Sequence, residues 1–561
     1  MGKILSVGID DFKKLIDNNC YYVDKSNLIC NLLDDFNQAT LITRPRRFGK
    51  SLNMSMLRYF FEKSEEDNSY LFNGLEVSRD DRYMQEQGKY PVISLSFSSV
   101  KAHTFEESIR QFHISIAKEF KYHKNDKLIS ALDTDETELY KKIANIYNEI
   151  TDLTLLTYSL SFLSECLEKT YGQKVIILID EYDVPLDNAY FNGFYDKMIN
   201  FIRILFESAV KGNSSLKMAV LTGCLRISKE SIFTGMNNLV VYSVIDKSYS
   251  QYYGFTEKEI RQMLDYYGLQ DKLEIIKKWY DGYSYGNQEI YNPWSVLNYV
   301  KNLISDTSAE PMPYWSNSSS NNIVRKLVVE SSTEIKNDLE SLINGEIITK
   351  PLYENMTYKE METNKPTIWS FLLHTGYLKL LKSFRDSGNI QLMGKFAIPN
   401  FEVLTIFNDE IQHWISDILR KNDNTYILNA MLQKQPESVE KYINEWLYKT
   451  ISYHDAKERE SFYHGLLLGL FSNFENFKVI SNRESGDGRF DIVLKDYQYN
   501  TAIILELKVA DTKKDLITES NRALKQIENN HYDTELINDG YTDILKYGIA
   551  FFKKVCMVVT K

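Results

Sequence analysis

Long apolar runs are missing from this 561-residue chain. Its densest apolar stretch, Leu466–Phe471, is far below the roughly 20 residues that a membrane span requires. The opening residues, Met1 to Asp11, lack the apolar core and small-residue cleavage site of a signal peptide, so the chain reads as cytoplasmic with no membrane partner. Cysteine is scarce and scattered. Cys20, Cys30, Cys166, Cys224 and Cys556 form no C-x-x-C pair and have no His cluster nearby, which argues against a disulfide framework and a structural zinc site. Proline is sparse as well, 10 residues beside 24 glycines, and no collagen-like or low-complexity character is present. A surplus of positive charge is also absent. Lys plus Arg number 66 against 77 Asp plus Glu, a net charge of −11, so no global attraction draws nucleic acid to the chain. Residues 451–561 hold 15 basic and 17 acidic side chains, which leaves most of the acidity upstream. Contact with nucleic acid must then come from a local basic patch or from metal ions.

What is present is the composition of a folded globular protein, 43% hydrophobic and 25% charged, long enough for several cores. Short apolar runs at Ala39–Thr43, Pro91–Phe97, Lys174–Ile179, Lys217–Thr222 and Val240–Val244 predict strands of a parallel sheet covered on both faces. Longer helical patterns lie between them, at Phe105–Tyr122, Thr137–Ile150 and Leu155–Tyr171. Alternation of this kind predicts an α/β domain with right-handed crossovers. Residues 255–300 read as helical and contain an aromatic knot, Trp279–Gly286 followed by Tyr291-Asn292-Pro293-Trp294, expected as a packed turn between helices. Residues 305–325 are polar and read as a linker, and 323–440 read as mostly helical, with apolar segments at Ile368–Leu381 and Gln391–Ile398.

Directly after the first strand comes Arg44-Pro45-Arg46-Arg47-Phe48-Gly49-Lys50-Ser51, and then a helix. Strand, loop, Gly-Lys-Ser and helix in this order suit a phosphate loop. Gly49 opens the helix, Lys50 meets β/γ oxygens of ATP, and Ser51 binds Mg²⁺. A full Gly-x4-Gly-Lys-Ser would have glycine at position 44, where this chain has Arg44. An apolar strand ends in Asp180 and Glu181, an arrangement in which Asp180 holds Mg²⁺ and Glu181 polarises an attacking water. The strand ending at Thr222-Gly223 places Thr222 where ligands meet open α/β sheets, with Arg226 in reach of a γ-phosphate.

Arg44–Ser51, Ile179–Leu186 and Thr222–Phe233 together resemble the AAA-ATPase-like domain of a large bacterial family. In that family a nuclease-like domain of the PD-(D/E)XK superfamily typically follows, and the resemblance covers most of the chain, from about Gly8 to the end. It implies an AAA-like P-loop domain over residues 1–250, a helical lid or linker over 251–440 and an α/β restriction-endonuclease-like domain over 441–561.

Near the C-terminus, Asp491 opens one strand and Thr501–Val509 forms the next, apolar except at Glu506 and Lys508. Period-two alternation places Glu506 and Lys508 on one face and Leu505 and Leu507 on the other. Asp491 and Glu506 would then hold Mg²⁺ while Lys508 orients a water or steadies phosphate charge. The spacing Asp491…Glu506-x-Lys508 is the signature of the PD-(D/E)XK nucleases. That resemblance further implies an acid on a preceding helix, assigned to Glu460, and weakly a helical Gln526; Tyr532, six residues beyond, is not carried over. The function expected is an ATP-binding ATPase-like module coupled to a Mg²⁺-dependent nuclease acting on nucleic acid, DNA rather than RNA. A homo-oligomer is compatible with it, and the architecture suits defence against phage or mobile DNA. The alternative is a nucleotide-switched scaffold whose nuclease-like domain binds nucleic acid or protein without cutting.

Overall fold

A computed structural model describes the chain except for residues 1, 148–151, 226–231, 234–235, 287, 316–332, 357–365, 386–390, 409–424, 451–459, 472–476, 482–483, 486–487, 490 and 497–499. Two compact units emerge, Met1–Ser320 with Ile347–Leu404, and Asn321–Glu346 with Thr405–Lys561.

The first unit is built on five parallel strands: β1 (Ala39–Thr43), β2 (Val92–Ser96), β3 (Val175–Asp180), β4 (Leu216–Gly223) and β5 (Leu239–Tyr242). Their order across the sheet is β2-β3-β4-β1-β5. All residues of β1 and β3 are buried, as strands covered on both faces must be. The strand expected to stop at Ile179 runs one residue further, so Asp180 is its last member. The helix expected over Thr137–Ile150 spans Thr134–Ala144 instead, because Asp133 and Glu136 form a capping box that starts it earlier. The carboxyl ends of β1, β3 and β4 lie side by side, which brings Thr43, Asp180 and Thr222 to one edge.

Helices Glu257–Tyr267, Leu273–Tyr280 and Pro293–Ser305 follow and share a core of Ile260, Leu264, Ile276, Tyr280, Val296 and Tyr299. The aromatic knot between them differs from the packed turn its composition suggested. It forms a hairpin of β6 (Tyr283–Tyr285) and β7 (Gln288–Ile290), because Tyr283 and Tyr285 alternate inward around Ser284. In the middle region, β8 (Ile348–Pro351), β9 (Lys379–Arg385) and β10 (Leu392–Ala397) make a small antiparallel sheet beside the helix Thr367–Thr375.

The second unit carries β11 (Phe477–Ser481), a two-stranded ribbon of β12 (Glu484–Ser485) and β13 (Gly488–Arg489), then β14 (Ile492–Asp496), β15 (Thr501–Val509), β16 (Asp543–Phe552) and β17 (Val555–Thr560). The main sheet runs β11-β14-β15-β16-β17, with only β15 and β16 parallel among the described pairs. Helices Pro436–Thr450 and Glu460–Phe471 bury Trp446, Leu447, Tyr463 and Leu467 against Ile492, Leu494, Ile503, Leu505 and Leu507. Val493, Ala502 and Ile504 pack on the opposite face with Ile527 of the helix Leu516–Asn529.

Candidate functional sites

In the first unit, Gly49 has φ 84° and caps the helix Lys50–Phe61, whose first-turn N–H groups have no helical acceptor. Lys50 is 4% exposed, and its Nζ donates to the carbonyls of Arg44 at 3.0 Å and Pro45 at 2.9 Å, with Cys224 Sγ 3.6 Å away. The loop therefore presents its own oxygens to the ammonium that phosphate oxygens would take over. Ser51 Oγ donates to Asp180 Oδ2 at 2.5 Å, and Thr222 Oγ1 donates to Asp180 Oδ1. Both oxygens of Asp180 are thus oriented by hydroxyls, Thr222 from β4 and Ser51 from the first turn of the helix after the loop. Ser51 and Asp180 make a donor pair fit to hold Mg²⁺. Thr222 itself is fully buried, so any influence it has on a phosphate passes through Asp180. Arg226 lies outside the described residues.

Glu181 lines the same cleft and sits at φ 54°, a left-handed conformation that a side chain adopts at a cost. Burial raises its carboxyl above the ordinary range, while nearby Lys50 opposes that shift. Asp183, two residues on, is engaged elsewhere, since its Oδ2 accepts the N–H groups of Cys224 at 2.7 Å and Leu225 at 2.9 Å. Of these two acids, Glu181 is the one directed to the cleft. Gly223 makes this arrangement possible, because a Cβ there would stand 2.6 Å from the Tyr182 ring and 2.8 Å from Asp183 Oδ1.

Arg44 does not point into the cleft. It is fully buried, donates to Thr43 O at 2.8 Å and Tyr242 O at 3.3 Å, and lies 5.1 Å and 5.7 Å from the rings of Tyr285 and Tyr253. The loop turns through left-handed residues at Arg47 and Gly49, not at position 44. Phe48 anchors it from below, 4.9 Å from the Tyr283 ring. The aromatic knot is thus the seat of the phosphate loop, a role that composition alone could not indicate.

In the second unit, β14 and β15 pair with Ile492 opposite Leu505, which sets Asp491 across from Glu506. Asp491 Oδ2 accepts the N–H of Leu507 at 2.8 Å. Its carboxylate is therefore pinned to the backbone between Glu506 and Lys508. Lys508 Nζ lies 3.3 Å from Glu506 Oε1 and also donates to Leu507 O at 3.0 Å. Glu506 is 1% exposed. Burial raises the Asp491 carboxyl, and the Leu507 N–H, Lys508 and His464 pull it back. Two carboxylates and an ammonium held together in this way suit one hard divalent cation with a lysine beside it.

The sequence reading overlooked two further residues here. His464 Nε2 is 2.9 Å from Asp491 O and 3.0 Å from Ser481 Oγ, which ties the helix Glu460–Phe471 to the strand carrying the acid. Glu460 opens that helix one turn earlier, and its side chain lies outside the described set. Gly548 stands opposite Glu506 on β16. A Cβ there would be 2.2 Å from Ser520 O, so only glycine lets the covering helix approach this closely. Gln526 Nε2 meets Tyr532 Oη at 3.3 Å, making Tyr532 its buried partner.

Among the described residues no helix is long and apolar enough to cross a membrane. Residues 6–233 match the AAA-ATPase-like family, described as "Predicted AAA-ATPase", and residues 458–561 match the PD-(D/E)XK nuclease superfamily. A protein of Azotobacter chroococcum mcd 1, described as an uncharacterized protein in the vnfD 5' region, is 26% identical over 420 residues. That similarity covers 73% of this chain and 70% of the relative. The chain thus carries an AAA-ATPase-like domain over residues 6–233 and a PD-(D/E)XK nuclease superfamily domain over residues 458–561.

Proposed function

We propose that this protein binds and hydrolyses ATP, and that its nucleotide state governs a Mg²⁺-dependent nuclease acting on the phosphodiester bonds of DNA. Residues 1–250 would bind nucleotide, 251–440 would transmit its state and 441–561 would cut. The observation carrying the nuclease reading is the Asp491 carboxylate bonded to Leu507 N–H, between Glu506 and Lys508. Asp491 and Glu506 would hold the metal, with Glu460 as a third acid. Bound Mg²⁺ supplies a water of lowered pKa and neutralises phosphate charge. Lys508, already beside Glu506, orients the water or the scissile phosphate. In the ATPase module Lys50 contacts the phosphates, Ser51 and Asp180 hold Mg²⁺, and Glu181 positions the attacking water. Arg226 would reach the γ-phosphate.

The test is a cleavage assay with the full chain on plasmid DNA, single-stranded DNA and RNA, with Mg²⁺ and with or without ATP. Wild type should cut DNA in Mg²⁺ in a nucleotide-dependent manner, and Asp491→Ala should not cut. DNA binding without cutting under every condition would replace the nuclease by the scaffold reading.

A further inference from the structure

The cleft around Lys50 and Ser51 encloses about 780 Å³, a volume that houses whole organic ligands and not phosphate groups alone. Away from the phosphate loop its lining includes Ile9, Tyr22, Phe255, Trp294 and Leu297 alongside polar residues such as Asp10. Trp294 is held by its backbone and by its indole N–H. Asn292 caps the helix Pro293–Ser305 by accepting the Trp294 N–H at 3.0 Å, and the indole Nε1 donates to Tyr314 O at 3.3 Å. The backbone of Gly8 runs beside the ring, where a Cβ would make an ordinary contact at 3.9 Å from Cζ3.

The Arg47 guanidinium lies over the indole, 4.2 Å from the ring centroid. Arg47 is exposed and belongs to the phosphate loop itself, three positions before Lys50. No carboxylate among the described residues pairs with it. A solvated cation over an indole is a weak contact, and a flat aromatic base overlaps the same face more fully. The guanidinium so released has five donors suited to phosphate oxygens.

We propose that Trp294 is the nucleobase shelf of this cleft, that it selects a purine, and that Arg47 turns from the indole to the phosphates when the base arrives. The inference rests on the nucleotide reading above and adds to it the residue that recognises the base. Two fused rings cover the indole better than one, which is why purine is the class expected.

Calorimetry with the full chain, Mg²⁺ and three ligands (ATP, CTP and inorganic tripolyphosphate) tests it. Wild type should bind ATP about tenfold tighter than tripolyphosphate, with CTP between them. Trp294→Leu should bring ATP down to the tripolyphosphate level without weakening tripolyphosphate binding, which also certifies that the variant folds. Trp294→Phe should retain most of the ATP preference, and Arg47→Ala should weaken ATP and CTP more than tripolyphosphate, which brings no base to displace the guanidinium from the indole. Equal binding of ATP and tripolyphosphate by wild type would overturn the shelf while leaving the phosphate site standing. So would a Trp294→Leu variant whose affinities for ATP and tripolyphosphate fall together, or whose ATP affinity is unchanged. Wild type that binds none of the three overturns the nucleotide reading and the shelf with it.

Discussion

Replacing Arg44 by glycine would restore the residue that the general phosphate-loop pattern carries at that position, yet the structure assigns this arginine a packing role. Its guanidinium donates to Thr43 O and Tyr242 O and lies over the Tyr285 and Tyr253 rings, 5.1 Å and 5.7 Å from their centroids. Two bonds from a charged donor contribute about 1.5 kcal/mol each, and the two ring contacts about 2 kcal/mol together. Against this stands the several kcal/mol needed to keep a buried charge dry, with Nε and Nη2 lacking hydrogen-bond partners. These polar contributions roughly cancel, so the cavity decides. Emptying a full side chain from a core costs about 2–5 kcal/mol. Arg44→Gly should therefore lose about 3 kcal/mol, whereas Arg44→Met, filling the same space without charge, should lose about 1 kcal/mol or less. Urea melts of the full chain read both. Calorimetry should show Arg44→Gly binding ATP no tighter than wild type, because the left-handed residues of the loop are Arg47 and Gly49. If Met proves as damaging as Gly, the charge–carbonyl bonds hold the loop and the cavity argument is wrong. A tenfold gain in ATP affinity for Arg44→Gly would show that position 44 governs the turn after all.

If Glu181 has the proposed role, Glu181→Gln should keep ATP bound while phosphate release slows about 100-fold or more, since the carboxylate proposed to position water goes and the phosphate contacts stay; unchanged turnover would remove Glu181 from that proposed role, and Asp183, bonded to Cys224 and Leu225, is poorly placed to take it. Lys508→Ala should abolish most DNA cleavage yet leave Mg²⁺ affinity, read by calorimetry, nearly unchanged, because an ammonium is no ligand for a cation. Glu402 is fully buried, accepting from Ser295 Oγ and Trp315 N–H, and burial pushes its carboxyl up to about 7. A folded-state value above the unfolded one means the cost of ionising it is absent below about pH 4.5, grows as pH rises to about 7, and stays constant beyond. Over that window stability should fall by about 3 kcal/mol, and Glu402→Gln should flatten the slope in melts taken at successive pH values.

The linear order of residues determined the five strands of the first sheet and the hairpin carrying Glu506 and Lys508, though not the β6–β7 hairpin, which read as a packed turn. Runs such as Ala39–Thr43 and Lys174–Ile179 are too apolar and too short to be anything but buried strands, and their ends bear the Gly49-Lys50-Ser51 and Asp180-Glu181 groups. The alternation around Glu506 and Lys508 likewise settled which face they share, since a strand has only two. Contacts between residues far apart in the chain belonged to the tertiary structure alone. Thr222 reads as a phosphate sensor in sequence, but packing of β4 beside β3 turns its hydroxyl onto Asp180. Arg44 reads as a departure from a pattern, but tyrosines some 200 positions downstream make it a core residue. Gly548, unremarked among apolar neighbours, matters only because Ser520 comes down on it. Local alternation and backbone chemistry are properties of neighbours in sequence; which distant group shares a proton, covers a ring or forbids a Cβ is decided only once the sheets and helices have packed.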